Sequence, residues 1–139
     1  PRTATDDAAF VLSSVESVRQ GLVDARAGAT GLATPELREA ATRIGRQQEK
    51  TLEKLESLAK TKGWSLPAGN PVRAGSVPVS GPTRTSANFI IHQIALHQAT
   101  LEQFEAQAEG EGDPELRRVL REAIPGYRKN LEMLLSLGL

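Results

Sequence analysis

Residues 34–64 read TPELREAATRIGRQQEKTLEKLESLAKTKGW and contain the clearest helical pattern of the chain. The stretch opens with threonine, proline and glutamate, which are typical of the N-cap, the first helical position and the acidic first turn of a helix. Apolar or small side chains then recur every three or four residues, as on one face of a helix. Gly63 ends this pattern, and Trp64 is placed to fold back on the last turn. We therefore predict one long amphipathic helix over residues 35–62.

Three further segments have the same helical periodicity. Thr5 can cap the first of them, which Gly28 and Gly31 then break. Ser86 caps the third helix, and Asp113 begins the fourth with the same order of cap, proline and acid. The four predicted helices are residues 5–27, 35–62, 86–109 and 114–136.

The connections between these helices are short, long and short. Residues 63–85 form the long one, with four of the eight prolines and four of the twelve glycines. At about 3.3 Å per residue this crossover can run the length of a bundle, which would leave the second and third helices parallel. Val72, Val77 and Val79 favour packing of the crossover on the helices, and a disordered linker is the alternative. Together the patterns predict an all-α protein, a ferritin-like four-helix bundle formed as a single domain by residues 1–139.

Composition excludes several classes of protein. Lys plus Arg and Asp plus Glu number 17 each, so the formal net charge is zero and no net field would attract nucleic acid. There is no cysteine, which excludes disulfides and thiolate chemistry. No apolar run approaches the ~20 residues that a membrane span needs. We therefore expect a protein or a small molecule as partner, and the sequence fixes neither its identity nor the oligomeric state.

A two-metal site in such a bundle needs Glu on two helices and Glu-x-x-His on the other two. Phe89 lies three residues before His92, and Ile94 lies three residues before His97, so neither histidine completes this motif. The two histidines are also five residues apart, about 140° around a helix, and cannot share one ligand face. We therefore predict no metal site, no cofactor and no catalytic residue.

Three of the apolar stripes each contain one polar residue, namely Gln48, His97 and Asn130. Each lies well inside its helix, and Tyr127 lies one turn before Asn130. We expect these four residues to form a polar core layer that could bind a ligand, while the first helix turns no carboxylate inward. The layer is interpreted as a set of hydrogen bonds, direct or through water, that fixes the register of the helices. A small-molecule or single-metal pocket around His97 is one alternative, and outward-pointing side chains are the other.

Several short motifs are characteristic in combination. They are Thr34-Pro35-Glu36-Leu37, Lys62-Gly63-Trp64-Ser65-Leu66-Pro67, Phe104-Glu105, Asp113-Pro114-Glu115-Leu116 and Ile124-Pro125. In their order and spacing they resemble the bacterial domain-of-unknown-function 4142 family, across nearly the whole chain outside the crossover. The resemblance implies a ferritin-like bundle that is exported to the periplasm or secreted, with a targeting segment ahead of Pro1.

The chain departs from that family at most of its potential metal-binding positions. Where members commonly carry acids or histidines, this chain has Gly21 and Val23, Gln47 and Gln48, Leu96, and Asn130. His97 alone keeps the family's residue. The resemblance therefore implies that this member has lost whatever metal site those positions form in its relatives.

These observations lead to one main functional hypothesis and two alternatives. The main one is a non-catalytic, extracytoplasmic bundle that acts as a binding or structural module for an unidentified ligand. A ferritin-like metal-dependent oxidoreductase or metal carrier with a rearranged site around His97 is the alternative. A third reading is a helical partner of another envelope protein, with the valines of the crossover as its apolar strip. On balance the sequence favours a protein that is not an enzyme.

Overall fold

A computed structural model describes residues 4–32, 34–64 and 86–138 of the chain. Within these ranges every regular element is an α-helix and there is no strand, which confirms the all-α prediction. Most of the predicted crossover lies outside the described residues. The expectation that Val72, Val77 and Val79 pack on the bundle therefore lies outside them as well.

The four helices follow the predicted order. They are α1 (Ala4–Gly31), α2 (Pro35–Lys62), α3 (Ser86–Glu109) and α4 (Pro114–Gly138). The bounds of α2 and α3 are those predicted, and α4 continues two residues further. In α1, Thr5 lies inside the first turn, one residue after the helix begins, so the prediction that Thr5 caps it was wrong.

The end of α1 was also predicted too early. The helix continues through Gly28, whose carbonyl accepts a hydrogen bond from the Leu32 backbone N–H at 3.2 Å. A Cβ at Gly28 would lie 2.7 Å from Cε1 of Phe89 on α3, closer than side-chain carbons approach one another. Gly28 is therefore a packing residue inside the helix, where it lets an aromatic ring of α3 approach the backbone.

The capping predicted for α2 is present at both ends. The Thr34 hydroxyl accepts a hydrogen bond from the Leu37 backbone N–H at 3.2 Å. At the other end Gly63 has a φ of 74°, in the left-handed region that favours glycine. The Trp64 backbone N–H then donates to the Ala59 carbonyl at 2.8 Å, and the Trp64 side chain packs on the core. This is the Schellman stop that the sequence indicated.

Hydrogen bonds between helices fix the direction of α1 relative to α3. Asp7, near the start of α1, accepts from Gln107 near the end of α3 at 3.1 Å. Asp24, near the end of α1, accepts from Gln93 near the start of α3 at 2.9 Å. The two helices are therefore antiparallel neighbours.

Ion pairs fix the direction of α2 relative to α4 in the same way. Lys62, at the end of α2, lies 3.0 Å from Asp113 at the start of α4, and Lys54 lies 3.1 Å from Glu122, more than two turns further along α4. With α1 packed on α2 and α3 on α4 as well, α2 and α3 lie across the diagonal of the bundle. They run in the same direction, so Trp64 and Ser86 lie at opposite ends of the bundle. A connection between these two ends has to span the length of the bundle, which is why a long crossover was predicted for parallel helices.

Two apolar regions fill the bundle, one toward each end. The larger one joins residues of all four helices around Phe104, Leu116 and Tyr127. Smaller clusters at the other end form around Phe89 and Ile44. Buried polar side chains lie between the two regions.

Candidate functional site: a buried polar layer

A layer of buried polar side chains crosses the middle of the bundle, with at least one member from each helix. We call it the polar layer, and its members are Asp24, Gln48, Gln93, His97, Tyr127 and Asn130. None of them is more than 9% exposed. All four residues predicted from the sequence lie in this layer, so the alternative that they point outward was wrong. That they bind a ligand stays a prediction.

His97 is fully buried and has one hydrogen-bond partner. Its Nδ1 lies 2.8 Å from the backbone carbonyl of Gln93, one turn earlier in α3. A carbonyl can only accept, so Nδ1 carries the proton and Nε2 carries the lone pair. Burial lowers the pKa of His97, and the Gln93 carbonyl opposes this shift, so the ring is neutral near pH 7. Nε2 has no partner among the described residues, which leaves it as a buried acceptor.

Tyr127 joins the polar layer to the larger apolar region. Its ring centroid lies 5.3 Å from that of His97 and 5.5 Å from that of Phe104, the latter edge to face. Such tilted and edge-on pairs are favoured by the quadrupoles of the rings. Burial raises the pKa of the Tyr127 phenol, so the hydroxyl stays protonated and offers a neutral donor.

Gln48 fills space that a glycine leaves open. A Cβ at Gly21 of α1 would lie 2.5 Å from Nε2 of Gln48, so any larger residue at that position would displace the amide. Two of the departures from the family pattern, Gly21 and Gln48, therefore lie against each other. The space between α1 and α2 therefore holds the neutral amide of Gln48, where the resemblance implies acidic and imidazole side chains.

Several atoms of the polar layer have no direct hydrogen-bond partner among the described residues. The Gln48 Oε1, His97 Nε2 and Asn130 Nδ2 atoms are all buried, and none has a partner among the described residues. Direct hydrogen bonds within the described residues therefore leave these three of the four predicted residues unsatisfied at the atoms named. Buried polar groups left unpaired cost roughly 1–3 kcal/mol each, which makes water or a bound polar molecule the natural partner.

Asp24 contradicts the expectation that the first helix turns no carboxylate inward. Its side chain is 1% exposed, and its Oδ2 accepts a hydrogen bond from Nε2 of Gln93 at 2.9 Å. His92 lies near the same oxygen, with Nε2 at 3.8 Å. Burial raises the pKa of Asp24, while the Gln93 hydrogen bond and the nearby His92 oppose this shift. The other oxygen, Oδ1, has no hydrogen-bond partner within residues 4–32, 34–64 and 86–138.

Sequence reasoning missed Asp24 and Gln93 although the periodicity contains both. Asp24 lies three residues after Gly21, and Gln93 lies four residues before His97. Both spacings place a side chain on the same helix face as its neighbour. The predicted stripes pass through the adjacent apolar residues, Leu22 in α1 and Ile90 and Ile94 in α3, and so leave out these two polar positions.

A second buried carboxylate, Asp7, lies at the far end of the bundle and is fully satisfied. Its Oδ1 accepts from Gln107 at 3.1 Å, and its Oδ2 accepts from the Asp113 backbone N–H at 3.0 Å. It thereby ties α1 to the end of α3 and to the turn before α4. Because both oxygens are used, Asp7 is structural, in contrast to Asp24.

The chemistry available in the layer is mainly that of neutral hydrogen bonding. It offers one imidazole lone pair, a phenol, three amides and one carboxylate. Among the described residues, no three side chains of His, Cys, Asp or Glu lie close enough together to hold a metal ion. The arrangement suits water or a small polar molecule better than a divalent cation.

Comparison with known proteins agrees with the all-α bundle and its motifs. The chain matches the model of the family described as Domain of unknown function (DUF4142) over residues 1–137. It therefore belongs to that family, as the resemblance indicated. No curated protein matches the chain.

A solved structure supports the fold. The chain is similar to a DUF305 fragment from Deinococcus radiodurans, known from a crystal structure, with a TM-score of 0.76. The match covers 99% of this chain and 97% of that one at 17% sequence identity. An identity this low carries the fold and nothing about activity.

The helices also bear on the expectation that the chain does not cross a membrane. Over the parts of the chain that the structure describes, no helix is both long and apolar enough for a membrane span. The expectations about nucleic acid and about a protein or small-molecule partner stay predictions.

Proposed function

We propose that the chain is a non-catalytic, ferritin-like bundle that acts outside the cytoplasm as a binding or structural module. One observation carries the proposal: the middle of the bundle is built mainly from neutral groups, namely three amides, a phenol and a neutral imidazole, with Asp24 as the one carboxylate of the layer. Gln48 packed against Gly21 is the clearest case, because an amide and a glycine stand at positions where the family resemblance implies acids and imidazoles. Such a layer can hold helices in register and accept a polar ligand, and among the described residues it brings no three metal-ligating side chains together.

Metal analysis tests this proposal directly. Protein purified without chelator is expected to carry substoichiometric iron and manganese. Its thermal stability is expected to be unchanged by ferrous or manganous ion, since bound metal would stabilise the fold by mass action. Stoichiometric metal that is lost in His97→Ala and kept in His92→Ala would overturn the proposal, because it would locate a working metal site in the layer.

The location outside the cytoplasm needs its own test. It rests on the family resemblance, since exported members are common there. The full-length protein, expressed in its natural host, is expected in the periplasmic or culture-medium fraction after cell fractionation. Recovery only with cytoplasmic markers would contradict this part of the proposal and leave the rest intact.

The second candidate function is a metal carrier or metal-dependent oxidoreductase with a rearranged site. It is favoured by one observation: His97 Nε2 and Asp24 Oδ1 are both buried ligand atoms that have no partner in the described part of the chain. This function predicts saturable binding of ferrous or manganous ion that either His97→Ala or Asp24→Ala abolishes. It also predicts consumption of oxygen or peroxide by the metal-loaded protein, which the main proposal does not.

A further inference from the structure

A groove of about 460 Å³ lies on the surface between α2 and α4. Four of the residues that line it are cations, and none is a carboxylate: Arg43, Arg46, Lys50 and Lys129. We call it the basic groove. The first three cations come from one face of α2, and the fourth comes from α4 on the opposite wall.

The basic groove is an exception on an otherwise balanced surface. The chain as a whole carries equal numbers of basic and acidic residues. A second groove between the same two helices, nearer the start of α4, mixes both signs, and there Lys54 pairs with Glu122 at 3.1 Å. The positive charge of the basic groove is therefore a local concentration and does not reflect a generally basic protein.

None of the four cations forms an ion pair with a carboxylate of the described residues. The Arg43 guanidinium instead has the Met133 sulfur at 4.0 Å. The carboxylate of Glu49, next to this face of α2, is already paired with Arg26 at 2.6 Å. Arg46 and Lys50 are one turn apart on α2, and like charges at that spacing repel each other. A bound anion would remove this repulsion.

The floor of the basic groove carries uncharged polar groups. A Cβ at Gly126 would clash with the Gln47 side-chain amide, so the absence of a side chain at Gly126 leaves room for that amide. Asn130 also borders the groove and is 9% exposed. Amide groups beside guanidinium and ammonium groups form a set that can bind several phosphate oxygens at once.

We propose that the basic groove binds a small soluble anion with two or more phosphate groups. Arg43 and Lys50 are seven residues apart, which is about 10 Å along the helix at about 1.5 Å per residue. One phosphate cannot reach both ends of that row and Lys129 as well, whereas a chain of phosphates can. The groove is separate from the polar layer except at Asn130, so this inference goes beyond the proposed function and does not depend on it.

A soluble anion fits the basic groove better than a lipid headgroup in a membrane. The groove is a recess between two helices, and Asn130 on its floor is almost entirely covered. A flat bilayer surface would touch the rims and leave these polar groups unused. The same phosphate chemistry therefore points to a ligand that can enter the groove from solution.

Calorimetric titration of the folded chain with sodium phosphate, pyrophosphate and tripolyphosphate tests the inference. We expect saturable one-to-one binding that tightens with the number of phosphates. The double variant Lys50→Gln/Lys129→Gln is expected to weaken tripolyphosphate binding by about tenfold or more. The matched control is Lys60→Gln/Arg118→Gln, which removes the same charge outside the groove and is expected to leave binding within about twofold. Circular dichroism checks that both variants fold.

Three results would overturn the inference. The first is no saturable binding of tripolyphosphate by the native chain. The second is an equal loss in the groove variant and the control, which would show diffuse attraction to net charge. The third is binding to vesicles containing phosphatidylglycerol without binding to free tripolyphosphate, which would assign the groove to a membrane surface.

Discussion

His97 combines complete burial with a proton on only one ring nitrogen, and this makes it a source of pH dependence. Burial holds its pKa below the ordinary value, so the unfolded chain takes up a proton at a higher pH than the folded chain does. Its contribution to stability is therefore fully present above about pH 6.5 and is lost as the pH falls below that value.

We expect the free energy of unfolding to fall between pH 7.5 and pH 5.5 by at most about 1.4 kcal/mol per pH unit from this residue. The His97→Leu variant should keep the fold and lose that part of the dependence. Urea unfolding of both proteins at the two pH values measures the difference. Identical pH profiles would show that the ring is solvated or already charged in the folded chain.

Asp24 contributes pH dependence of the opposite sign, and substitution can separate its charge from its hydrogen bond. Because its pKa is raised in the folded chain, the stability that Asp24 contributes is fully present below the ordinary pKa near 4. That stability is lost as the pH rises from this value through the folded pKa. At pH 7 we expect Asp24→Asn to be at least as stable as the native chain, because the new amide oxygen still accepts from Gln93 without a buried charge. Asp24→Ala should be less stable by about 1–3 kcal/mol, since Nε2 of Gln93 loses its shorter hydrogen bond and keeps only the Gly21 carbonyl at 3.4 Å.

Chemical denaturation at pH 7 compares these two variants. An Asn variant that is less stable than the Ala variant would mean that the charge itself is used, with His92 as its partner. Repeating the measurement in a His92→Ala background tests whether His92 is that partner.

The ends of some helices can be predicted from a single sequence, and the ends of others cannot. The bounds of α2 could be predicted because caps and periodicity agree there, and those of α3 followed from its periodicity and the glycine break after Glu109. The end of α1 could not, because a glycine between helices and a glycine packed under an aromatic ring look alike in one sequence. Gly28 is of the second kind, and only the position of Phe89 on a helix distant in sequence reveals it.

The two glycines near the end of α1 provide a matched pair of substitutions. Gly28→Ala should destabilise the bundle by about 1–3 kcal/mol, because its Cβ would meet the Phe89 ring. Gly31→Ala should be neutral or stabilise by up to about 1 kcal/mol, since a Cβ there meets nothing within 4 Å and the backbone has no positive φ. Equilibrium unfolding in urea compares both with the native chain. Equal effects would show that helix propensity, and not the contact with α3, decides the cost.

On the scale of the whole molecule, the bundle consists of two apolar regions separated by the polar layer. Apolar side chains pack almost equally well after a helix slides by one turn, so they specify register weakly. A polar layer can specify it, because a shifted helix would place its polar groups in an apolar region. Gln48, His97 and Asn130 could be predicted because each interrupts an apolar stripe, and Tyr127 because it lies one turn before Asn130. Their missing hydrogen bonds could not be foreseen, since they depend on side chains from helices far apart in the sequence.

Replacing the layer by apolar residues separates stability from specificity. We expect Gln48→Leu combined with Asn130→Leu to keep or raise the free energy of unfolding by up to about 3 kcal/mol, because two unpaired buried groups are removed. If the layer fixes register, the same variant should show broadened or multiplied amide peaks in a two-dimensional NMR spectrum. A matched pair on the wet faces, Lys60→Leu combined with Glu132→Leu, should leave the spectrum sharp. A stable double variant with one sharp peak per residue would show that packing alone sets the register, and the layer's remaining role would then be to bind a polar ligand.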